Sequence, residues 1–239
     1  MANPTAAMLV IGDEILSGRT RDSNMHHLAG RLTEAGIALR EARMVADDHD
    51  AIVAALDALR ATHDHVFTSG GIGPTHDDIT ADAVATAFGV PIGLREDARA
   101  LLHAHYEPRG IELNEARLRM ARIPEGARLI ENPVSAAPGF TLGNVHVMAG
   151  VPAIFQAMVA SVLPSIEGGA PLHTTSTRID RAEGDIAGPL SRLAAEFTDL
   201  SFGSYPSMRG GHFGADVVVR GGDPARVDAA TARLAALLP

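Results

Sequence analysis

The residues best placed to do chemistry lie between Val66 and Asp82, where a short apolar run leads into glycines, a proline and two aspartates. Gly70, Gly71 and Gly73 allow a ligand to approach the backbone closely. A glycine loop between a strand and a helix presents backbone N–H groups, and the positive end of a helix dipole, to an anion. The stretch therefore predicts a phosphorylated ligand, cradled by the backbone of residues 70–75.

Acidic pairs follow three predicted strands: Asp13-Glu14, Asp47-Asp48 and Asp77-Asp78. Loops that leave the carboxyl ends of neighbouring parallel strands meet at one edge of a sheet, so these pairs would repel one another unless a cation or hydrogen-bond donors compensate. A divalent cation between the acids and the phosphate is therefore expected. In the alternative interpretation the acids are turns and helix caps, with Asp78 as the N-cap of the next helix and Asp82 complementing its dipole.

Composition narrows the possible functions. The chain has 239 residues and is 46% hydrophobic, enough for a large domain and a small one. Its net charge of −9 argues against nucleic acid or an anionic membrane as a partner. All 20 basic residues are arginine, which excludes a Walker A lysine and a lysine Schiff base, and the lack of cysteine excludes disulfides, thiolate zinc sites and cysteine nucleophiles. Neither a signal peptide nor an apolar stretch of about 18 residues is visible, so a cytoplasmic protein is expected.

Hydrophobic periodicity predicts the order β-α-β-α-β-α over residues 7–88, which is typical of a parallel sheet covered by helices. Further on, a hairpin turns at Gly143-Asn144, and Gly150-Val151-Pro152 forms a second glycine loop before a helix. The predicted strands are 7–11, 37–45, 65–68, 90–94, 128–130, 140–142 and 145–148, and the predicted helices are 22–36, 50–60, 79–88, 96–106, 114–122 and 153–163.

A proline- and glycine-rich stretch at residues 164–171 predicts a boundary between domains 1–168 and 169–239. The second domain reads β-α-β-β-α, a small α+β unit with strands near 174–179, 200–202 and 215–220 and helices 185–197 and 225–238. Its glycine-rich connection at 207–214 is predicted to be a flexible hairpin tip. The 11 histidines match no zinc spacing and are expected to be isolated surface residues, except His76, which lies inside the glycine loop.

Six motifs follow one another in a fixed order: Gly12-Asp13-Glu14-Ile15-Leu16-x-Gly18, Asp22-Ser23-Asn24, Val45-x-Asp47-Asp48, Ser69-Gly70-Gly71-Ile72-Gly73-Pro74-Thr75-x-Asp77-Asp78-Ile79-Thr80, Ala137-Pro138-Gly139 and Gly150-Val151-Pro152. Together they resemble the molybdopterin-binding domain of the competence/damage-inducible protein A family. That domain is related to the molybdopterin adenylyltransferases, to gephyrin and to the N-terminal domain of eukaryotic FAD synthetases. The resemblance covers residues 6–165, and Gly203-Ser204-Tyr205-Pro206 looks like part of the small domain of stand-alone members.

The resemblance implies a three-layer α/β/α fold with a mostly parallel sheet, the ligand lying over the glycine loop. Two aspartates are essential in the adenylyltransferases, one after the second strand and one opening the glycine-loop helix. They match Asp47 and Asp78, which are therefore expected to be catalytic and to hold a divalent metal such as Mg, Mn or Co. The residues expected to bind the ligand are Gly12, Asp13, Glu14, Ser69, Gly70, Gly71, Gly73, Pro74, Thr75, Asp77, Pro138, Gly139, Gly150 and Pro152.

Two functions remain open. Some members of the damage-inducible branch hydrolyse ADP-ribose and the FAD-synthetase relatives hydrolyse FAD, which implies a metal-dependent enzyme of pyrophosphate bonds or a nucleotidyltransferase. The alternative is a non-catalytic protein that binds a molybdopterin-like ligand in molybdenum cofactor metabolism. Met148-Ala149 departs from the family's Leu-Pro, and no deamidase domain follows in this sequence, so deamidation of nicotinamide mononucleotide is not expected. A homo-oligomer is expected, because relatives of this fold commonly associate.

Overall fold

The computed structural model describes residues 3–238, which form two compact units, one ending at Gly169 and one beginning at Ala170. The first unit contains the strands β1 (Thr5–Ile11), β2 (Ala38–Val45), β3 (His65–Ser69), β4 (Ile92–Leu94), β5 (Arg122–Pro124), β6 (Arg128–Ile130), β7 (Gly139–Leu142) and β8 (Val145–Met148). Its helices are α1 (Asp13–Leu16), α2 (Asn24–Glu34), α3 (His49–Arg60), α4 (Thr80–Phe88), α5 (Glu96–Tyr106), α6 (Glu115–Leu118) and α7 (Pro152–Val162).

A six-stranded sheet in the order β2-β1-β3-β8-β7-β6 forms the centre of this unit. The strands β2, β1, β3 and β8 are parallel, and β7 runs antiparallel to both of its neighbours. The predicted mostly parallel sheet is thus confirmed. Because the four parallel strands point the same way, the loops after β1, β2, β3 and β8 leave from one edge.

Both faces of the sheet are buried, which gives the three layers. Alternate residues of β1 enter different cores, because successive side chains of a strand point to opposite faces. One core packs the sheet against α3, α4 and α5, and the other packs it against α2 and α7. The first contains Ala7, Leu9, Ile11, Ile52, Leu56, Val84 and Leu102, and the second contains Ala6, Met8, Val10, Leu28, Leu32, Phe155 and Met158.

The helix predicted at 114–122 is wrong in its second half. The helix α6 ends at Leu118, a turn of 3₁₀ helix follows, and residues from Arg122 onward form β5, which pairs with β4. Two causes are visible. Arg122 donates to both carboxylate oxygens of Asp82, at 2.6 and 2.8 Å. In addition, the ring of Pro124 disfavours helical backbone angles at the preceding residue, Ile123.

The expectation that histidines other than His76 lie at the surface is wrong for His146. This residue of β8 is 2% exposed, with Thr141 Oγ1 at 3.0 Å from its Nδ1 and His65 Nδ1 at 3.4 Å from its Nε2. Burial lowers the pKa of His146 to about 3, and the charges of His65 and Arg128 act in the same direction. His146 is therefore neutral in the folded protein at neutral pH.

The second unit is a three-stranded antiparallel sheet in the order β10-β11-β9 with two helices packed on it. Its elements are β9 (His173–Ile179), α8 (Glu183–Glu196), β10 (Ser201–Arg209), β11 (His212–Gly221) and α9 (Pro224–Leu237). The predicted order of elements and the predicted hairpin are confirmed, but its connection is shorter than the predicted range of 207–214. The strands pair as far as Arg209 and His212, and Gly210-Gly211 alone makes the turn, both with positive φ. Within residues 3–238, no helix combines the length and apolar character needed to cross a bilayer.

Candidate functional site

A cavity of about 520 Å³ opens at the edge of the sheet where the parallel strands end. The loops after β1, β2, β3 and β8 all contribute to its wall. This is the place expected for a ligand in an open parallel sheet. The predicted residues that line it are Gly12, Glu14, Asp47, Gly70, Gly71, Gly73, Pro74, Asp77, Asp78, Gly150 and Pro152.

The glycine loop after β3 has no room for side chains at its first two positions. A Cβ on Gly70 would lie 2.1 Å from the carbonyl oxygen of Ile11, and one on Gly71 would lie 2.1 Å from Thr80 Oγ1. Both glycines also have positive φ, of 110° and 68°. Only glycine combines this backbone conformation with such close approach. The loop can therefore lie directly on the end of β1.

Thr80 anchors this loop to the start of α4. Its side chain is buried and donates to the carbonyl oxygen of Gly70 at 3.0 Å, and its N–H donates to the carbonyl oxygen of Gly71, also at 3.0 Å. The backbone N–H groups of Gly71, Ile72 and Gly73 make no hydrogen bond to any residue from 3 to 238. All three residues line the cavity, so an anion can be bound there by backbone donors.

The acidic residues converge on Asp47. Its Oδ2 accepts a hydrogen bond from the backbone N–H of Asp13 at 3.0 Å. Burial raises the pKa of Asp47; the carboxylates of Asp13, Glu14 and Asp77 raise it further, while the Asp13 N–H acts against them. The acidic side chains that were predicted to share one sheet edge therefore lie close enough to repel one another. A bound cation would reduce this repulsion.

Two of the paired acids serve the loops themselves. Asp48 is the N-cap of α3 and accepts a hydrogen bond from Ala51 N at 2.8 Å. The assignment of Asp78 as the N-cap of α4 is wrong, because the helix begins at Thr80 and Ile79 occupies the cap position. Asp78 Oδ2 instead accepts from Thr75 N at 2.8 Å and from Thr75 Oγ1 at 2.5 Å. These two bonds from Thr75 close the glycine loop onto itself.

Of the predicted binding residues, Asp13, Ser69, Thr75, Pro138 and Gly139 do not line the cavity. Asp13 and Thr75 act through the hydrogen bonds described above. Ser69 is 2% exposed, and Gly139 lies inside β7, where a Cβ would be 2.4 Å from a backbone carbonyl oxygen. Pro138 lines a smaller cavity of about 20 Å³ that shares residues of the glycine loop.

Comparison with known proteins gives the family. A family model described as "Probable molybdopterin binding domain" matches residues 7–168, and one described as "FAD synthase, middle domain" matches residues 171–239. The chain belongs to the molybdopterin-binding domain family. The resemblance carried by the six sequence motifs is thereby confirmed, and the second unit corresponds to the second matched domain.

Relatives of this chain differ in length. A CinA-like protein of Citrifermentans bemidjiense is 41% identical over 167 residues, which are 68% of this chain and 40% of that protein. Protein TK1472 of Thermococcus kodakarensis is 36% identical over 222 residues, 87% of this chain and 88% of that protein. The chain spans less than two thirds of several curated relatives, including 62% of one from Metallosphaera sedula. A crystal structure of CinA, a protein of unknown function from Thermoplasma acidophilum, has 35% identity and a TM-score of 0.63, and covers 69% of this chain and 99% of that one.

Sequence reasoning missed the part of the cavity wall that comes from the segment before β7. Asn132 is buried and accepts from the N–H groups of Val134 and Ser135 while its Nδ2 donates to Ser135 Oγ and Ala137 O, at 2.7 and 2.8 Å. An asparagine before a proline is a turn signal, and it could have identified this segment as ordered. The other lining residues not predicted are Ile11, Thr20, Ile72, Met120, Ala149, Val151 and Ile154.

Arg119 was also missed. It lies in the 3₁₀ turn after α6, and its Nη2 donates to the carbonyl oxygen of Asp78 at 3.2 Å. Its Nε is buried and has no hydrogen-bond partner in the described part of the chain. A guanidinium therefore lies against the same loop as the acids, and its charge partly offsets theirs.

Proposed function

We propose that the protein binds a nucleotide-type diphosphate or molybdopterin-like ligand over the glycine loop and acts on its pyrophosphate bond with a divalent metal. One observation supports this most strongly: the unpaired N–H groups of the glycine loop and the carboxylates of Asp47 and Asp77 line the same cavity. The N–H groups attract a phosphate, whereas the carboxylates repel it. A cation bound between the carboxylates and the phosphate would remove this repulsion. A volume of about 520 Å³ suits a small-molecule ligand.

The residues present fit a hard divalent cation. Asp47, or Asp77 or Asp78, would supply oxygen donors, which suit Mg²⁺ or Mn²⁺. One or two carboxylates are sufficient, because Mg²⁺ is commonly held by that number together with substrate phosphates. A metal held there would neutralise phosphate charge and orient an attacking water. The chain itself contributes the loop N–H groups, which bind phosphate oxygens, and Asp13 N, which orients the Asp47 carboxylate.

Non-catalytic binding of a molybdopterin-like ligand is the second candidate. It is favoured by one finding: in the described range 3–238, no group of three or more His, Cys, Asp or Glu side chains is arranged to hold a metal ion. The same residues would then serve as hydrogen-bond acceptors and donors to the ligand, with no turnover.

A substrate screen separates the candidates. Purified protein would be incubated with ADP-ribose, FAD or ATP and with Mg²⁺, Mn²⁺ or Co²⁺, the products resolved by chromatography, and binding measured by calorimetry. The proposal predicts hydrolysis of at least one diphosphate that stops when a chelator removes the metal. Binding without hydrolysis would favour the second candidate, and the absence of both would overturn the proposal.

A further inference from the structure

Asn24, at the start of α2, joins two of the loops that form the cavity. Its Nδ2 donates to Ser69 Oγ at 2.8 Å, at the end of β3, and to the carbonyl oxygen of Gly150 at 2.7 Å, after β8. Because a carbonyl oxygen can only accept, the contact with Gly150 fixes which end of the amide is nitrogen. The residue is 4% exposed. Its orientation is thus determined by the fold before any ligand binds.

The other end of this amide is unpaired. Asn24 Oδ1 is buried and makes no hydrogen bond within residues 3–238. A buried acceptor without a donor is unfavourable and uncommon in native proteins, so it calls for an explanation. A donor that arrives with the ligand is such an explanation, because Asn24 lies next to the ligand cavity.

A small cavity of about 50 Å³ is lined by Asn24 and shares Ile11, Glu14, Thr20, Gly150 and Pro152 with the large one. A water molecule occupies roughly 30 Å³ in the liquid, so the small cavity admits one or two waters or an amino group, but not a whole ring. It extends the large cavity toward the start of α2.

The wall of the small cavity contains several hydrogen-bond acceptors. Besides Asn24, its wall carries the carboxylates of Glu14 and Asp22, the latter bonded to the N–H groups of Asn24 and Met25. The basic residue of the wall, Arg21, is exposed. The hydroxyl groups of Thr20, Ser23 and Ser69 also line the small cavity and can donate or accept. A group that faces Asn24 Oδ1 and the Glu14 carboxylate must nevertheless donate, because both of these oxygens only accept.

We propose that Asn24 Oδ1, together with Glu14, accepts hydrogen bonds from an amino group on a nitrogen heterocycle of the ligand and so selects the ring. The inference rests on the proposed function, since it requires that a phosphorylated ligand binds on the glycine loop. It adds a specificity-determining residue and a chemical class: rings that bear an exocyclic amine.

The test compares ligands that differ only in that amine. Calorimetry with Mg²⁺ would measure the affinities of ADP and purine riboside 5′-diphosphate, which lacks the 6-amino group, and of GDP and IDP, which differ in the 2-amino group. We expect at least one amino-bearing ligand to bind about tenfold more tightly than its partner. In Asn24→Ala, that preference should fall below about twofold, because the acceptor is gone.

Asn144 provides a matched control. Its Nδ2 also donates to two carbonyl oxygens, of Arg60 at 3.0 Å and His63 at 2.9 Å, but it does not line either cavity. Asn144→Ala should keep the wild-type preference. Equal affinities within both pairs for the wild-type protein would overturn the inference, even if Asn24→Ala fails to fold. Equal weakening of all ligands by Asn24→Ala, with unchanged ratios, would also overturn it by showing a purely structural role. Failure of every diphosphate to bind would overturn the proposed function as well.

Discussion

Asp47 shares the cavity with other acids, and both burial and their charges act against its ionisation. Asn at this position keeps an oxygen that can accept from Asp13 N and removes the charge. We therefore expect Asp47→Asn to leave the free energy of unfolding of the ligand-free protein unchanged or to raise it by up to about 1 kcal/mol at neutral pH. Urea denaturation followed by circular dichroism would measure this.

Asp228 supplies the control, because it is exposed on α9 in the other unit and Asp228→Asn makes the same charge change. Its effect should stay within about 0.5 kcal/mol. At a pH below the raised pKa of Asp47, wild type and Asp47→Asn should converge, since protonation removes the same charge. A loss of more than about 1 kcal/mol in Asp47→Asn would show that Asp47 is mainly a structural cap.

His146 predicts acid sensitivity of the first unit. Burial lowers its pKa from 6.5, the value of an unperturbed histidine, to about 3 in the folded protein. Between these two pH values the imidazole is protonated in the unfolded chain and neutral in the folded one. This contribution to stability is complete above the pKa of the unfolded state and is lost as the pH falls toward the pKa of the folded state, at about 1.4 kcal/mol per pH unit.

The variant His146→Asn tests this, because it keeps a hydrogen-bond partner for Thr141 and removes the titrating group. Between about pH 6 and about pH 4, its unfolding free energy should fall less steeply than that of the wild type by this amount. Parallel slopes would contradict the assignment.

At the scale of the elements, the glycine loop depends on Gly70. Gly70→Ala places a methyl group against the backbone of Ile11 in a conformation with positive φ, so we expect a loss of at least about 2 kcal/mol in unfolding free energy. Gly93 in β4 is the control, since a Cβ there meets nothing within 4 Å. Gly93→Ala should change stability by less than about 1 kcal/mol. Chemical denaturation of both variants measures the difference, and similar values would show that the loop can relax around a side chain.

Strong hydrophobic patterns were enough to predict most elements. The apolar runs of β1 and β3 are buried on both faces, and the helix α3 carries Ile52, Leu56 and Leu59 on one side, so period and length identify them without tertiary information. The hairpin of β7 and β8 followed in the same way from its Gly143-Asn144 turn. The convergence of acids followed from the parallel order of the strands, because that order alone brings their loops to one edge.

What could not be predicted depends on the partner that each side chain finds in the folded protein. Asp78 looked like a helix cap because it precedes an apolar helix, but Thr75 offers it two donors within the loop. β5 extends because Arg122 pairs with Asp82, 40 positions earlier. Asn24 was part of a motif, yet its contact with Gly150, 126 positions later, has no local signature. Sequence patterns report local preference and burial. The geometry of the glycine loop decided the first of these cases, and partners distant in sequence decided the other two.

The whole molecule has separate hydrophobic cores on the two sides of the boundary, since two clusters lie within the first unit and one within the second. Gly169 N still donates to the carbonyl oxygen of Ala35, which ties the end of the first unit to the C-terminal end of α2. We expect limited proteolysis to cut first just beyond this bond, at residues 170–172, and to leave a resistant fragment ending there. Mass spectrometry would locate the cut. A first cleavage inside residues 1–160 would contradict this division.

Binding of a diphosphate together with a metal is the function proposed for the whole molecule, and one titration tests it most directly. Calorimetry would measure the affinity of wild type, Asp47→Asn and Asp228→Asn for ADP-ribose, each with and without Mg²⁺. We predict binding that requires the metal in the wild type and in Asp228→Asn. In Asp47→Asn it should be weaker by at least about tenfold, or about 1.4 kcal/mol. Affinities that are equal in all three proteins, or that do not depend on the metal, would contradict the role given to the acidic cavity.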